Sequence, residues 1–263
     1  MLAATTTAVA GVLAVHRVVK SYRDGVAVRR HDVAWGASRP YRVVHLSDLH
    51  VGATTPRRVL AEVAAAAHAA RPDVVVLTGD YVNASSLYLG RVTELVRSLP
   101  KPCIATLGNH DHWVGPDRIA LALARGGAKV LRNESALVGD LAVVGVDDGS
   151  SGAADLARAF RGVDPDRALV LTHYPNTADE IAALGPRLVL AGHTHGGQVD
   201  VPWVTRAVAK MTGNPYLRGF YRVGDRTELY VNAGVGHSLP GFRAGTTSPE
   251  VAVFDLRPVS AAG

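Results

Sequence analysis

Two aspartates, one asparagine and four histidines each come directly after a short apolar run in this 263-residue chain. Asp48 and His50 follow YRVVHLS, Asp80 follows VVVLTG, Asn109 follows IATLG, His173 follows ALVLT, and His193 and His195 follow RLVLAG. No thiolate is among them, which argues against iron–sulfur and other soft-metal chemistry, while mixed nitrogen and oxygen donors suit manganese, iron or zinc. Seven donors are too many for one tetrahedral zinc and enough for two cations if one carboxylate bridges them. Paired divalent cations are a known device for in-line displacement at phosphorus, where they activate water and clamp the attacking and leaving oxygens. An i, i+2 pair on extended backbone points to one side about 6–7 Å apart, so Asp48 and His50 can reach one cation. His193 and His195 fit either one cation jointly or two neighbouring cations separately. Without a cation, so many carboxylates and imidazoles at one place would be costly to desolvate.

His110 is set apart from the ligands. Beside it Asp111 offers a carboxylate to orient or charge the ring, and an imidazolium aimed at substrate can stabilise phosphorane charge or protonate the leaving oxygen. His45 reads as a hydrogen-bonded core residue, and His16, His31 and His68 as surface groups. His112 adjoins the same motif, with a structural role as plausible as a substrate contact. Trp113, Trp203 and Tyr221 are expected in core or lid packing, with an apolar wall for a lipid or nucleobase as the alternative.

These residues need elements to carry them. Short apolar runs at 41–47, 73–78, 103–107, 141–146, 168–172, 187–191, 228–232 and 250–256 alternate with helical patterns such as PRRVLAEVAAAAHAA, VTELVRSL, DRIALALARG, ADLARAF and NTADEIAAL. That alternation predicts an α/β domain, and the carboxyl ends of its strands form the crevice where distant residues converge. MTGNPYLRGFYRVG (211–224) reads as an irregular excursion over the cleft.

The ordered set DLH, GD, GNHD, an isolated histidine after a strand, and GHTH resembles the signature of the calcineurin-like metallophosphoesterases. The resemblance implies a two-sheet mixed β sandwich flanked by helices, with two divalent cations (Mn, Fe or Zn) at one edge. It implies one cation on Asp48, His50 and His195, the other on Asn109, His173 and His193, Asp80 bridging, and His110 as the catalytic histidine. GDYVN departs from the family, which often has a second aspartate where this chain has Asn83. The tail GVGHSLPGFRAGTTSPEVAVFDL is similar to a bacterial, often membrane-attached subgroup that includes UDP-diacylglucosamine pyrophosphohydrolases. That likeness places Arg243 and His237 at the cleft, holding an anionic head group.

Seven of the basic residues fall between Arg17 and Arg42 against two acidic ones, which accounts for the whole net charge of +5. This follows an apolar start, MLAATTTAVAGVLAV, too short to span a bilayer and lacking a basic leader. Charge gathered there suits an anionic membrane surface and argues against a nucleic-acid partner. One cysteine, Cys103, excludes an internal disulfide framework. The expected organisation is an apolar segment with a basic flank (1–40), a catalytic domain (41–258) and a tail (259–263). The expected location is the cytoplasm, attached to the inner membrane face by the N-terminal segment. The function read from these features is a phosphodiesterase or pyrophosphohydrolase acting on a nucleotide- or lipid-linked phosphate. The competing readings are a soluble nuclease or cyclic-nucleotide phosphodiesterase, and a catalytically silent metal-binding scaffold.

Overall fold

The structure, a computed structural model, describes residues 25–36, 39–197, 199–200, 204–211, 213–238, 244–245 and 248–258. One six-stranded sheet has the order β1 (Ala27–Trp35), β14 (Glu250–Pro258), β2 (Tyr41–Leu46), β3 (Val74–Thr78), β4 (Cys103–Thr106), β5 (Ala128–Val130). A second has the order β11 (Gly219–Val223), β12 (Thr227–Val231), β9 (Leu188–Ala191), β8 (Ala168–Leu171), β7 (Leu141–Gly145), β6 (Glu134–Val138). A short pair, β10 (Val199–Asp200) and β13 (Ala244–Gly245), stands apart. The strands that feed the site, β2, β3 and β4 in the first sheet and β8 and β9 in the second, run parallel within their sheets.

Alternation along each strand builds three apolar layers. Val43, Val74, Val76 and Ile104 of the first sheet meet Val143, Leu169, Leu171, Leu188 and Leu190 of the second between the sheets. Their neighbours Val44, Leu46, Val75 and Leu77 face the other way, onto α1 (Arg57–Ala70), α2 (Leu89–Ser98) and, beyond α3 (Asn109–Val114), α4 (Pro116–Arg125). The outer face of the second sheet packs Val144, Val170 and Val189 on α5 (Leu156–Ala159) and α6 (Thr177–Ala182). A further helix, α7 (Val204–Met211), follows β10. The expected α/β sandwich of two mixed sheets flanked by helices is therefore the architecture observed.

Three expectations are corrected. Residues 27–35, assigned to a segment preceding the domain, form β1, paired in parallel with β14 along its whole length and burying Val33 and Trp35. His31 is accordingly not a free surface group: its Nε2 lies 3.2 Å from the Tyr230 hydroxyl, and its ring packs among Phe220, Tyr230 and Phe254. The 211–224 excursion contains β11, antiparallel to β12, because Val223 and Tyr221 join the outer apolar layer of the second sheet, while the half-exposed Phe220 lays its ring near Tyr230 and Phe254. The N-terminal segment before residue 25, with His16, and the tail from residue 259 lie outside the described residues.

His45 is the core histidine expected. It is fully buried, and its Nε2 donates to Thr78 Oγ1 at 2.8 Å because the Thr78 hydroxyl gives its own proton to Ser47 Oγ. Burial pushes its pKa down from 6.5 to about 3. Below pH 6.5 the unfolded chain takes up a proton that the folded one refuses, so stability falls as pH drops from 6.5 toward 3. Replacing His45 with Gln, which keeps an N–H donor, should shrink the loss of unfolding free energy between pH 7 and pH 5 by about 2 kcal/mol. Identical pH slopes in urea titrations of the two proteins would show that His45 is protonated inside the fold.

Candidate metal centre

The carboxyl ends of β2, β3 and β4 meet those of β8 and β9 at one edge of the sandwich. Backbone pairing continues past the strand ends: Asp48 N–H donates to Gly79 O, His50 N–H to Asp80 O, and Gly192 N–H to His173 O. This lacing holds each motif loop against its neighbour. Asp48, His50, Asp80, His193 and His195 all have positive φ, between 40° and 75°. Such backbone is strained for residues with a Cβ and characteristic of functional sites. It corrects the extended geometry expected for the Asp48/His50 and His193/His195 pairs: a left-handed turn, not the pleat of a strand, aims these side chains inward.

Small residues give the ligands room. A Cβ on Gly192 would fall 1.9 Å from Ser47 Oγ and 2.4 Å from Asp48 Oδ2, and one on Gly108 would fall 2.3 Å from Asp80 Oδ1.

The donor atoms form two groups that share Asp80. In one, His50 Nε2 lies 3.0 Å from His195 Nε2, His195 Nε2 3.4 Å from Asp48 Oδ1, and His50 Nε2 3.6 Å from Asp80 Oδ2. In the other, His173 Nε2 lies 3.3 Å from the same Asp80 oxygen and 3.1 Å from Asn109 Oδ1, while His193 Nδ1 is 2.9 Å from Asn109 Oδ1 and 3.2 Å from His173 Nε2. Donors about 2.1 Å from one ion sit about 3.0 Å apart at right angles and about 3.4 Å apart in a tetrahedron. The observed spacings match that edge length, so the residues present fit divalent cations. His173 Nδ1 donates to Thr78 O at 2.6 Å, which fixes the tautomer that turns Nε2 inward.

The electrostatics agree. Burial opposes charge on Asp80, yet His173, His50 and His110 hold its carboxyl well below the usual range. Burial likewise opposes charge on His173, but Asp80 and Asp48 push its pKa up to about 10. Burial and the neighbouring His173 push His193 down to about 4, and burial pushes Asp48 up to about 6. Divalent cations among them would offset the burial of Asp48 and Asp80 and compete with protons for the imidazoles.

His110 opens α3. Its Nδ1 donates to the backbone carbonyl of Asn83, which leaves Nε2 on the inner side, 3.9 Å from Asp80 Oδ2. The ring is thus oriented by a main-chain atom, while the Asn83 side chain donates to Thr54 Oγ1. Asp111, expected beside the His110 ring, turns elsewhere. Its carboxylate accepts from the N–H groups of Asp80 (2.8 Å), Tyr81 (3.0 Å) and Gly108 (2.9 Å), clamping the GD loop to the GNHD loop. Burial and the charge of Asp80 push its pKa up to about 8; cations that balance Asp80 would work the other way.

His112 takes a structural post, donating to Asp147, which Arg132 also holds. Asp147 and Asp148, at the end of β7, were not singled out from the sequence, although DD directly after LAVVGV is the same strand-end signal. His237 is buried next to Gly236, whose N–H donates to the Asp48 carbonyl. Arg243 and Trp203 lie outside the described residues. Tyr221 is a packing residue whose hydroxyl accepts from Leu217 and Arg218 N–H.

The chain resembles known proteins along most of its length. The profile of the calcineurin-like phosphoesterases matches residues 41–197. Phosphodiesterase YaeI of Escherichia coli is 31% identical, covering 86% of this chain and 87% of its own. The uncharacterized metallophosphoesterase YkuE of Bacillus subtilis is 29% identical over 82% of this chain and 79% of its own. The UDP-2,3-diacylglucosamine pyrophosphatase LpxG of Chlamydia trachomatis is 27% identical over 74% and 78%.

The Asp111 clamp gives a direct expectation. Asp111→Ala leaves three buried N–H groups without an acceptor and should cost about 3 kcal/mol or more in chemical denaturation. It should also lower the metal content of the purified protein by elemental analysis, with Asp111→Asn between the two. Full metal content in Asp111→Ala would show that the loops keep their places without the clamp.

Proposed function

The chain belongs to the calcineurin-like phosphoesterases, hydrolases of phosphoester bonds, and we propose that it holds two divalent cations and cleaves a phosphodiester or pyrophosphate linkage. The observation that carries this reading is the sharing of one Asp80 oxygen between two donor groups. Asp48, His50 and His195 would hold one cation, Asn109, His173 and His193 the other, with Asp80 between them. The nitrogen- and oxygen-only donor set is compatible with manganese, iron or zinc.

Bound there, the cations would supply charge neutralisation at the phosphoryl group and activation of water at neutral pH. The chain supplies the rest. The carbonyl of Asn83 can only accept, so it keeps the His110 proton on Nδ1 and makes Nε2 the atom that gains and loses a proton. An imidazolium there faces the phosphoryl position beside Asp80 and can donate to the leaving oxygen as its bond to phosphorus breaks. The loop lacing and the Asp111 clamp hold the donors in place before substrate arrives, so little reorganisation is needed at the moment of reaction.

The names of YaeI and LpxG, a phosphodiesterase and a pyrophosphatase on a lipid-linked nucleotide, favour an ester or anhydride with two substituents over a phosphomonoester. His237, next to the Gly236 whose N–H meets the Asp48 carbonyl, and Arg243, outside the described residues, are the proposed contacts to an anionic head group. Among the described residues no helix is long and apolar enough to cross a membrane. The proposed membrane contact is a surface one, through residues 1–24, whose apolar run is too short to span a bilayer, and the basic residues after them.

Three outcomes check this reading. Asp80→Ala should abolish metal-dependent hydrolysis of bis(p-nitrophenyl) phosphate, and undiminished turnover would remove the proposed site. His110→Ala should lower kcat by about 10²–10⁴-fold while metal content stays at two per chain. The full chain should sediment with anionic phospholipid vesicles and lose that behaviour without residues 1–24; equal sedimentation of both would place membrane contact elsewhere or nowhere.

A further inference from the structure

Helix α3 distributes its side chains by helical spacing. Positions i, i+3 and i+4 share a face, so Asn109, His110 and Trp113 fall together, while Asp111 turns to the buried amides and His112 to Asp147. Asn109 and His110 are thereby assigned to the reacting centre. Trp113 has no such assignment, yet it is 69% exposed. The other described tryptophan, Trp35, is 1% exposed. The expectation that Trp113 packs in the core or a lid is therefore not met.

One part of the indole is engaged. Its ring centroid lies 4.4 Å from that of His110, tilted by 49°. His110 Nε2 in turn lies 3.9 Å from Asp80 Oδ2. Trp113 thus stands one ring beyond the proposed proton donor, with most of its indole open to solvent. Two other aromatic groups among the described residues are engaged within the protein. Tyr174 meets His193 edge to face and accepts from Asn176 Nδ2, and Tyr221 accepts two backbone N–H groups.

The helix that carries Trp113 is polar on either side of it: His110 and His112 share it, and Asp117, in the next helix, is paired with Arg132. A flat ring with hydrogen-bonding edges finds a face to stack on and polar groups around it. We infer that Trp113 is a specificity residue, a stacking platform for a nucleobase or similar aromatic ring on the leaving-group side of the scissile phosphate. This rests on the proposed metal-dependent hydrolysis for its orientation, though its test does not require turnover.

The test is calorimetric binding of adenosine 5′-monophosphate, dodecyl phosphate and inorganic phosphate to the manganese-loaded full chain, to Trp113→Ala and to Trp113→Phe. Trp113→Ala should weaken the nucleotide about tenfold and leave inorganic phosphate where it was, and Trp113→Phe should recover most of the loss. Equal weakening of nucleotide and phosphate would show that Trp113 acts only by packing on His110, and would overturn the proposal. Unchanged nucleotide binding, or a larger loss for dodecyl phosphate than for the nucleotide, would overturn it as well. A wild-type protein that binds the nucleotide through Trp113 but hydrolyses no phosphodiester would sink the hydrolytic reading while the platform stands.

Discussion

Lone pairs are aimed at lone pairs across 2.9 to 3.6 Å at the edge of this sandwich, and much of the nearby structure keeps them there. Left to itself such a set would spread apart or neutralise by taking up protons, since burial removes the water that would screen it. The protein resists on several fronts. Parallel pairing extends beyond the strands, left-handed backbone at five ligands costs about 1–3 kcal/mol each, and glycines 108 and 192 admit carboxylates where a methyl would collide. That strain is tolerated because the two sheets beneath it are close-packed and cannot relax toward it. Asp48, His50, Asp80 and Asn109 come from the first sheet and His173, His193 and His195 from the second, so cations among them would also join the two halves of the sandwich.

The candidate ligand residues were legible because each obeys a local rule: a polar side chain directly after an apolar strand. The strands that carry them are short, buried on both faces and continuous in their apolar pattern. What the sequence concealed is non-local. In β1 the run VRRHDVAW looks like part of a basic tail, and its role as a strand depends on Tyr230 and Phe254 standing nearly two hundred residues and more away. β11 was hidden in the same manner, as an edge strand whose packed face belongs to other elements. The left-handed turns at Asp48 and His50 were hidden because no glycine marks them.

Asp111 and Asn83 illustrate a second limit. Adjacent acid and imidazole suggest a pair, but the helix that contains both sends them to opposite duties, and the three amides that claim Asp111 come from two separate loops. At position 83 the sequence shows an amide where an aspartate is common, which reads as a loss. The contact to His110 is made by the main chain, so side-chain identity there bears on the tie to Thr54 and not directly on the ring. A carbonyl oxygen leaves no mark in a sequence motif.

The place of β14 carries a consequence of another kind. This strand, residues 250–258, lies between β1 and β2, so the earliest described strand has no partner in the sheet until the latest one has been laid down. Contacts across more than two hundred residues make for a high contact order and a late, slow closing step. While the chain is being synthesised, the helices and parallel strands of the middle can form first, but the first sheet ends at an open edge of β2. A chain cut short before residue 250 would forfeit two strands at once and expose that edge to pairing with other molecules.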